Sequence, residues 1–172
     1  MNVQPFVGNL AGNSVDNSVD NSTGNPAGHI DHRASLQKLI RFFESLSLEA
    51  CQDLSAVYTE DAYFKDPFNE LRGIAAINHV FQHMFEQVLD PSFRITSSVL
   101  EGDSAFLCWD FLFTMKHFHT QQQCIRGTTH IRFDVDGRVS FHRDYWDVAE
   151  ELYEKLPLLG SLMRVLKWIA RK

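Results

Sequence analysis

Asp66 is the first residue of the sequence whose neighbours could give it a chemical role. It lies in residues 63–68, Tyr-Phe-Lys-Asp-Pro-Phe, where aromatic side chains and a proline surround one carboxyl group. Apolar surroundings disfavour the charged form of a carboxyl group, which allows the group to act as a general base. The alternative is a turn aspartate, because Asp-Pro is ordinary loop chemistry. This stretch alone favours the turn, since a single motif is weak evidence.

A second set of ionisable side chains lies in residues 140–147, Ser-Phe-His-Arg-Asp-Tyr-Trp-Asp. Strand alternation places His142, Asp144 and Trp146 on one face, and the odd-numbered residues from 141 to 147 on the other. Both faces carry charge, so alternation alone does not identify the inner one. If the first face lines a pocket, His142 and Asp144 are acid–base groups; if it faces solvent, they are a solvated edge pair.

The two histidines at 79 and 83 raise the question of a metal site. His79 and His83 are spaced i, i+4 on a predicted helix, as metal ligands can be. No third ligand has suitable spacing, and the glutamate of a zinc-protease motif is missing. We therefore expect no metal site and no other cofactor.

Length, charge and cysteine content limit the class of protein. A chain of 172 residues is long enough for one domain with a hydrophobic core. A net charge of -6 argues against nucleic-acid binding, which needs a dense basic surface. Cys51, Cys108 and Cys124 are odd in number, far apart and without metal spacing, which predicts reduced thiols in a cytoplasmic protein. We see no apolar run of membrane-spanning length and no secretory signal.

The helices and strands that would position these side chains are predicted to follow a segment of different composition. Residues 1–30 repeat Asn-Ser-Val-Asp and contain few apolar side chains, so they predict a disordered tail. We assign one domain to residues 31–156 and an accessory helix to residues 157–172. That helix has too many apolar residues for one stripe, with basic residues among them. We expect it to dock on its own domain or on a partner subunit, and the alternative is a membrane surface.

Three helices are predicted in the first part of the domain. Apolar residues at helical spacing predict helices over about 36–46 and 74–88, the second ended by Asp90-Pro91. Between them, Ser47 can cap a short helix that buries Leu48, Cys51, Leu54 and Tyr58.

Alternating apolar residues follow from Phe93 onward and predict four antiparallel strands. Turns are expected at residues 101–103 and at Asp136-Gly137, and a loop at residues 119–122. With a short strand at 63–66, the pattern predicts an α+β fold. In it, a strongly curved, mostly antiparallel sheet wraps over three N-terminal helices, and a C-terminal helix follows.

These segments resemble the SnoaL-like family of the nuclear transport factor 2-like superfamily. The residues that carry the resemblance are Asp66-Pro67 at the end of a short strand, Gly73 followed by Ala-Ala-Ile at 75–77, and Arg-Asp-Tyr-Trp-Asp at 143–147. The resemblance covers about residues 31–156. It implies a cone-shaped α+β barrel that encloses a deep cavity.

Two enzymes of the superfamily imply roles for single residues. The stretch around Asp66 is similar to the segment that carries the proton-abstracting aspartate of ketosteroid isomerase. The oxyanion-hole tyrosine of that enzyme would fall near Leu39, and its oxyanion-hole aspartic acid on Thr129. Both strong donors are therefore missing, although Thr129 could donate a weaker hydrogen bond.

The last strand is similar to that of limonene-epoxide hydrolase. Asp144 matches one of the two aspartates that flank the catalytic arginine of that enzyme. The arginine would fall on Trp109 and the other aspartate on Phe111, so this triad is incomplete as well.

The resemblances imply one pocket and two possible uses of it. The candidate catalytic residues are Asp66, with His142 and Asp144 as its partners. The candidate substrate-binding residues are Phe64, Trp109, Phe111, Thr129, Ile131 and Trp146. The implied function is proton transfer on a small apolar ligand, of isomerase, cyclase or hydratase type. The alternative is a non-catalytic ligand-binding or dimerisation module. The family also implies a homodimer through the outer sheet face, where Arg126, His130 and Arg132 lie.

Overall fold

The computed structural model describes residues 31–116, 121–153 and 167–170. The predicted tail, residues 1–30, lies outside the described residues, as does most of the predicted C-terminal helix. Residues 167–170 are helical, and Nζ of Lys167 lies 3.7 Å from the carboxylate of Glu150. The docking predicted for the C-terminal helix stays a prediction. In the part of the chain that is described, no helix is long and apolar enough to cross a membrane.

The fold is α+β, with helices packed against one six-stranded sheet. The helices are α1 (Arg33–Glu44), α2 (Ile74–Gln87) and the short α3 (Val148–Glu151), with a 3-10 turn at Ala50–Gln52. The strands are β1 (Tyr58–Lys65), β2 (Glu70–Arg72), β3 (Val88–Glu101), β4 (Ser104–Met115), β5 (Gln122–Phe133) and β6 (Val139–Tyr145). Their order in the sheet is β2-β1-β6-β5-β4-β3. Only the pairing of β1 with β6 is parallel, so the predicted mostly antiparallel sheet is confirmed.

The core lies between the helices and the inner face of the sheet. Helix α1 buries Leu36, Leu39 and Phe43, whose spacing puts them on one side of the helix. Helix α2 buries Ile77 and Phe81 in the same way. These residues form one hydrophobic cluster with inward side chains of β1, β4, β5 and β6. The helices therefore cover the inner face of the sheet and exclude water from it.

Three predicted boundaries differ from the structure. Helix α2 ends at Gln87, and Asp90-Pro91 lies inside β3 rather than after a helix. Asp90 has a φ of 50°, and the register with β4 shifts between Leu89 and Ser92, so the pair forms a bulge that accommodates the proline. The predicted short helix is a single 3-10 turn, although Oγ of Ser47 does accept the Ala50 N–H at 3.2 Å. The third difference is β1, which starts five residues before the predicted strand.

Candidate functional site

A chain of hydrogen bonds runs through the inner face of the sheet. The hydroxyl of Tyr58 lies 2.9 Å from Nδ1 of His142, and Nε2 of His142 lies 3.0 Å from Oδ1 of Asp144. The Thr129 hydroxyl donates to the same Oδ1, and the Trp109 indole N–H donates to Thr129 Oγ1 at 2.8 Å. We call these five residues the buried hydrogen-bond chain. It joins four strands around one carboxylate.

The sheet register brings these side chains together. Thr129 on β5 is directly opposite Asp144 on β6, and the alternation of β6 puts His142 on the same face. Trp109 on β4 is opposite Gly127, and a Cβ at Gly127 would lie 2.4 Å from the Trp109 ring. The missing side chain at position 127 thus gives the indole its space beside Thr129.

Burial fixes the proton positions in this chain. Burial and the nearby charge of Asp144 raise the pKa of Tyr58 well above its ordinary value, so its hydroxyl keeps its proton. That proton has the Nδ1 of His142 as its acceptor, which leaves the ring proton on Nε2 to be donated to Asp144. The His142 side chain is 2% exposed, and the rings of Phe43 and Phe64 pack around it, with centroids at 5.8 and 4.7 Å. Its two nitrogens are therefore committed to protein partners.

Asp144 is the carboxylate of the buried hydrogen-bond chain, and it lines a large cavity together with Trp109. Its side chain is 18% exposed, and its Oδ2 forms no hydrogen bond with the described residues. The cavity measures about 660 Å³ and lies between α2 and the sheet. The side chains that line it include Phe64, Val80, Phe81, Met84, Phe93, Trp109, Phe111, Phe113, Ile125 and Trp146, with Asp66 and Asp144 among them. The site is thus an apolar space with few ionisable groups, which is typical of small-molecule sites.

Asp66 lines the same cavity but is bonded to its own turn. Its carboxylate accepts the Phe68 main-chain N–H at 2.7 Å, and it also accepts the main-chain and side-chain N–H groups of Asn69. The main-chain N–H of Asp66 donates back to the Asn69 carbonyl at 3.0 Å. Of the three predicted catalytic residues, hydrogen bonds join His142 to Asp144, while those of Asp66 go to Phe68 and Asn69.

The six predicted substrate-binding residues lie in three different parts of the structure: the large cavity, a second cavity and the hydrophobic core. Phe64, Trp109, Phe111 and Trp146 line the large cavity. Thr129 lines a second cavity of about 30 Å³, together with His142 and Asp144. Ile131 is fully buried in the hydrophobic core.

Tyr58 is the site residue that sequence reasoning missed. Helical spacing placed it on the predicted short helix, but it is the first residue of β1. Alternation along β1 puts Tyr58 on the same face as Phe64, six residues later, but the predicted strand began only at Tyr63 and so left Tyr58 out. A buried tyrosine needs a hydrogen-bond partner, which is the one property of the sequence that could have indicated its role.

The histidines of α2 are exposed at the rim of the large cavity. Their rings are stacked with centroids 6.3 Å apart, and His83 bonds to Glu86 and Gln87. Within residues 31–116, 121–153 and 167–170, no three His, Cys, Asp or Glu side chains are grouped so as to hold a metal ion.

Solved structures with this fold come from several bacteria. One is a hypothetical protein with a ketosteroid isomerase-like fold from Catenulispora acidiphila, in complex with trimethylamine; it is 13% identical and covers 70% of this chain and 90% of its own, with a TM-score of 0.60. A second is an LEH-like epoxide hydrolase from M. tuberculosis, at 16% identity, 79% and 96% coverage and a TM-score of 0.57. A third is a putative SnoaL-like polyketide cyclase from Shewanella putrefaciens, at 18% identity, 69% and 96% coverage and a TM-score of 0.58. At these identities the likeness shows the fold alone.

Sequence comparisons identify one family for this chain. Curated protein sequences give no significant match. The model of the SnoaL-like domain matches residues 39–142, which is more than half of the chain and contains β1–β5, α2, the second half of α1 and the first four residues of β6. The predicted resemblance is therefore confirmed, and the chain belongs to the SnoaL-like domain family.

Proposed function

We propose that this protein is an enzyme that moves a proton on a small, largely apolar molecule, in a reaction of isomerase, cyclase or hydratase type. The observation that supports it most is the arrangement of Asp144. One carboxylate oxygen is bonded to His142 and Thr129, and the other accepts no hydrogen bond from the described residues, at the wall of an apolar cavity. A carboxylate in that position has the geometry of a general base.

In this proposal Asp144 takes the proton and its partners hold it in place. The two hydrogen bonds to Oδ1 fix the plane of the carboxylate, so that Oδ2 can meet a C–H or O–H group of the ligand. His142, Tyr58 and Thr129 act as positioning residues because they act on the ligand only through Asp144. A base held in one orientation commonly contributes about 10²–10⁴ in rate.

Asp66 takes a secondary role in the proposal. The N–H groups of Phe68 and Asn69 already occupy both oxygens of its carboxylate, so fewer lone pairs are left to accept a proton from a ligand. The prediction that Asp66 is the base remains untested, and these contacts favour Asp144 instead. We assign Asp66 to contact with the ligand at the cavity wall.

Neither of the two mechanisms implied by the resemblance is complete in these residues. Leu39 is buried in the core, where the isomerase would have a tyrosine. Thr129 donates its hydroxyl proton to Asp144, so that proton is not available to an oxyanion. The positions of the hydrolase arginine and of its second aspartate hold Trp109 and Phe111. The reaction therefore differs from both in its stabilising groups.

The relatives support a small-molecule role for the cavity. One neighbour was solved with trimethylamine, one is an epoxide hydrolase and one a putative polyketide cyclase. All three descriptions concern small molecules, which favours a ligand of that size here.

We also propose a homodimer through the outer sheet face. Aromatic side chains form a row on that face: Phe106 stacks on His130 at 4.5 Å, and Phe141 contacts both His130 and Tyr63 at 5.1 Å. Phe106 is 47% exposed. Partly exposed aromatic side chains grouped on a surface are typical of protein interfaces.

The experiment that tests the function identifies the ligand directly. Protein purified from its expression host is denatured, and the released small molecules are identified by mass spectrometry. We expect an apolar compound that is released by the parent and is absent from preparations of Trp109→Arg, which fills the cavity with charge. The compound and its analogues are then assayed for turnover or proton exchange. Binding without any exchange in the parent protein would contradict the enzymatic proposal and favour a ligand-binding module.

A further inference from the structure

We infer that the ligand of the large cavity carries a cationic group, a protonated or quaternary amine, which binds at Asp66 beside the rings of Phe68 and Trp146. This inference rests on the proposed small-molecule function and goes beyond it, because it names the charge of the ligand.

Among the described residues, the cavity wall has three carboxylates, those of Asp66, Glu86 and Asp144, and one lysine. Neither Asp66 nor Asp144 forms an ion pair with a lysine or arginine of the described residues. The partners of Asp66 are uncharged N–H groups, which leave its negative charge in place. The lysine of the cavity wall, Lys116, donates its ammonium protons to the main-chain carbonyls of Phe85 and Glu86. The wall thus carries an excess of negative charge.

The aromatic rings beside Asp66 supply the second half of the site. Phe68 and Trp146 meet edge to face with centroids 5.5 Å apart, and both line the cavity with Asp66. Phe68 is 58% exposed, so its ring is accessible to a ligand that enters the cavity. Aromatic faces attract cations within about 6 Å of the ring, and quaternary ammonium groups are bound in this way.

The other two classes of ligand are less compatible with this wall. An anionic group would be repelled by Asp66 and Asp144. A neutral ligand without a hydrogen-bond donor would remove water from Oδ2 of Asp144 without giving it a partner, which is costly. A cation with an apolar body can pair with the carboxylates and lie against the rings of Phe68 and Trp146. Its apolar body can fill the apolar interior of the cavity.

The test compares two probes of the same shape. Benzyltrimethylammonium is positively charged, and neopentylbenzene is its uncharged carbon isostere. Dissociation constants are measured by ligand-observed NMR for the parent and for Asp66→Asn, with Asp61→Asn as the matched control because Asp61 is an exposed aspartate of β1 outside the cavity wall. We expect the parent to prefer the cation by about tenfold or more, and the preference to weaken at high salt. Asp66→Asn should lose most of it, and Asp61→Asn should keep it.

Each outcome decides between the two proposals. Equal affinity of the parent for the two probes, or a preference that Asp66→Asn keeps, would overturn the cationic ligand while leaving the small-molecule cavity intact. Failure of both probes to bind would also overturn it, and the proposed function would still be judged by the compound released from the purified protein. If Asp66→Asn does not fold, Trp146→Leu is the second variant: it should weaken binding of the cation more than binding of the isostere, and an equal effect on both would contradict the inference.

Discussion

Nε2 of His142 lies 3.0 Å from Oδ1 of Asp144, while Nδ1 of the same ring lies 2.9 Å from the Tyr58 hydroxyl. The ring is therefore held from both sides, by the first residue of β1 and by its own strand. Because the imidazole is 2% exposed, water cannot replace either partner without opening the core. The position of Asp144 at the cavity wall thus depends on a residue 84 positions from His142 in the sequence.

Removal of the Tyr58 hydroxyl should destabilise the protein without leaving a large cavity. In Tyr58→Phe the buried Nδ1 of His142 loses its donor, which should lower the free energy of unfolding by about 1–3 kcal/mol. The control is Tyr63→Phe, since the Tyr63 hydroxyl bonds to Glu70 on the surface and should be worth less than about 1 kcal/mol. Urea unfolding at neutral pH measures both. Equal losses in the two variants would show that Tyr58 is not an essential partner of the ring.

The contact of Gly127 with Trp109 gives a prediction about packing. In Gly127→Ala the new methyl group would lie 2.4 Å from the indole, so the ring must move away from Thr129. We expect a loss of about 1–3 kcal/mol and a change in the near-ultraviolet circular dichroism of the tryptophan. A double-mutant cycle with Trp109→Phe provides the control, because the smaller ring should leave room for the added methyl group. Additive losses would contradict a direct clash between the two residues.

Much of the site was predictable because it lies on regular elements. Helical spacing identified α1 and α2, and alternation with the family resemblance placed Trp109, Thr129, His142 and Asp144 on one face. The hydrogen bonds join residues of neighbouring strands, and a pattern with period two is enough to align those. The domain boundaries, the cytoplasmic location and the role of the C-terminal helix stay predictions.

The features of the fold and the site that the sequence did not predict lie where the backbone is irregular. Tyr58 reaches His142 across a register shift in β1, and Asp90-Pro91 is accommodated by a bulge in β3. Strand β2 has three residues, too few to show a period. The hydrogen bonds of Asp66 depend on how its turn folds back to Asn69, which no spacing rule gives. Local geometry of this kind decides which of two carboxylates is free for a ligand.

The stability of the protein should fall at alkaline pH because of buried neutral acids. Burial raises the pKa of Cys51 from 9.0 to about 11 and that of Tyr58 well above 10.0. The folded state therefore holds these protons more tightly than the unfolded state, so their contribution is complete below pH 9 and is lost as the pH rises towards 11 and beyond. In urea unfolding at about pH 8 and about pH 10.5, Cys51→Ala should show a smaller decrease than the parent. Cys108→Ala is the exposed control and should not reduce the decrease.

The proposed dimer makes a prediction for the outer sheet face. Phe106→Glu places a charge at the exposed end of the aromatic row and should weaken association by at least about tenfold in sedimentation equilibrium. Val135→Glu is the matched control, since Val135 is an exposed apolar residue, 75% accessible, in the β5–β6 turn rather than on the sheet face. A parent protein that is monomeric at high concentration, or an unchanged dimer in Phe106→Glu, would exclude this interface.

The choice between the two carboxylates can be made with two isosteric variants, once a substrate is known. Asp144→Asn keeps an Oδ1 that can accept the hydrogen bonds of Thr129 and His142, but its amide cannot take a proton from the ligand. We expect kcat to fall by about 10²–10⁴ while ligand affinity changes little. Asp66→Asn should instead change mainly the affinity, because in our proposal Asp66 contacts the ligand and does not accept its proton. A larger fall in kcat for Asp66→Asn than for Asp144→Asn would reverse the assignment and make Asp66 the base, as the resemblance to the isomerase implies. A ligand that binds all three proteins while neither substitution changes the rate would show that no carboxylate of this cavity accepts the proton.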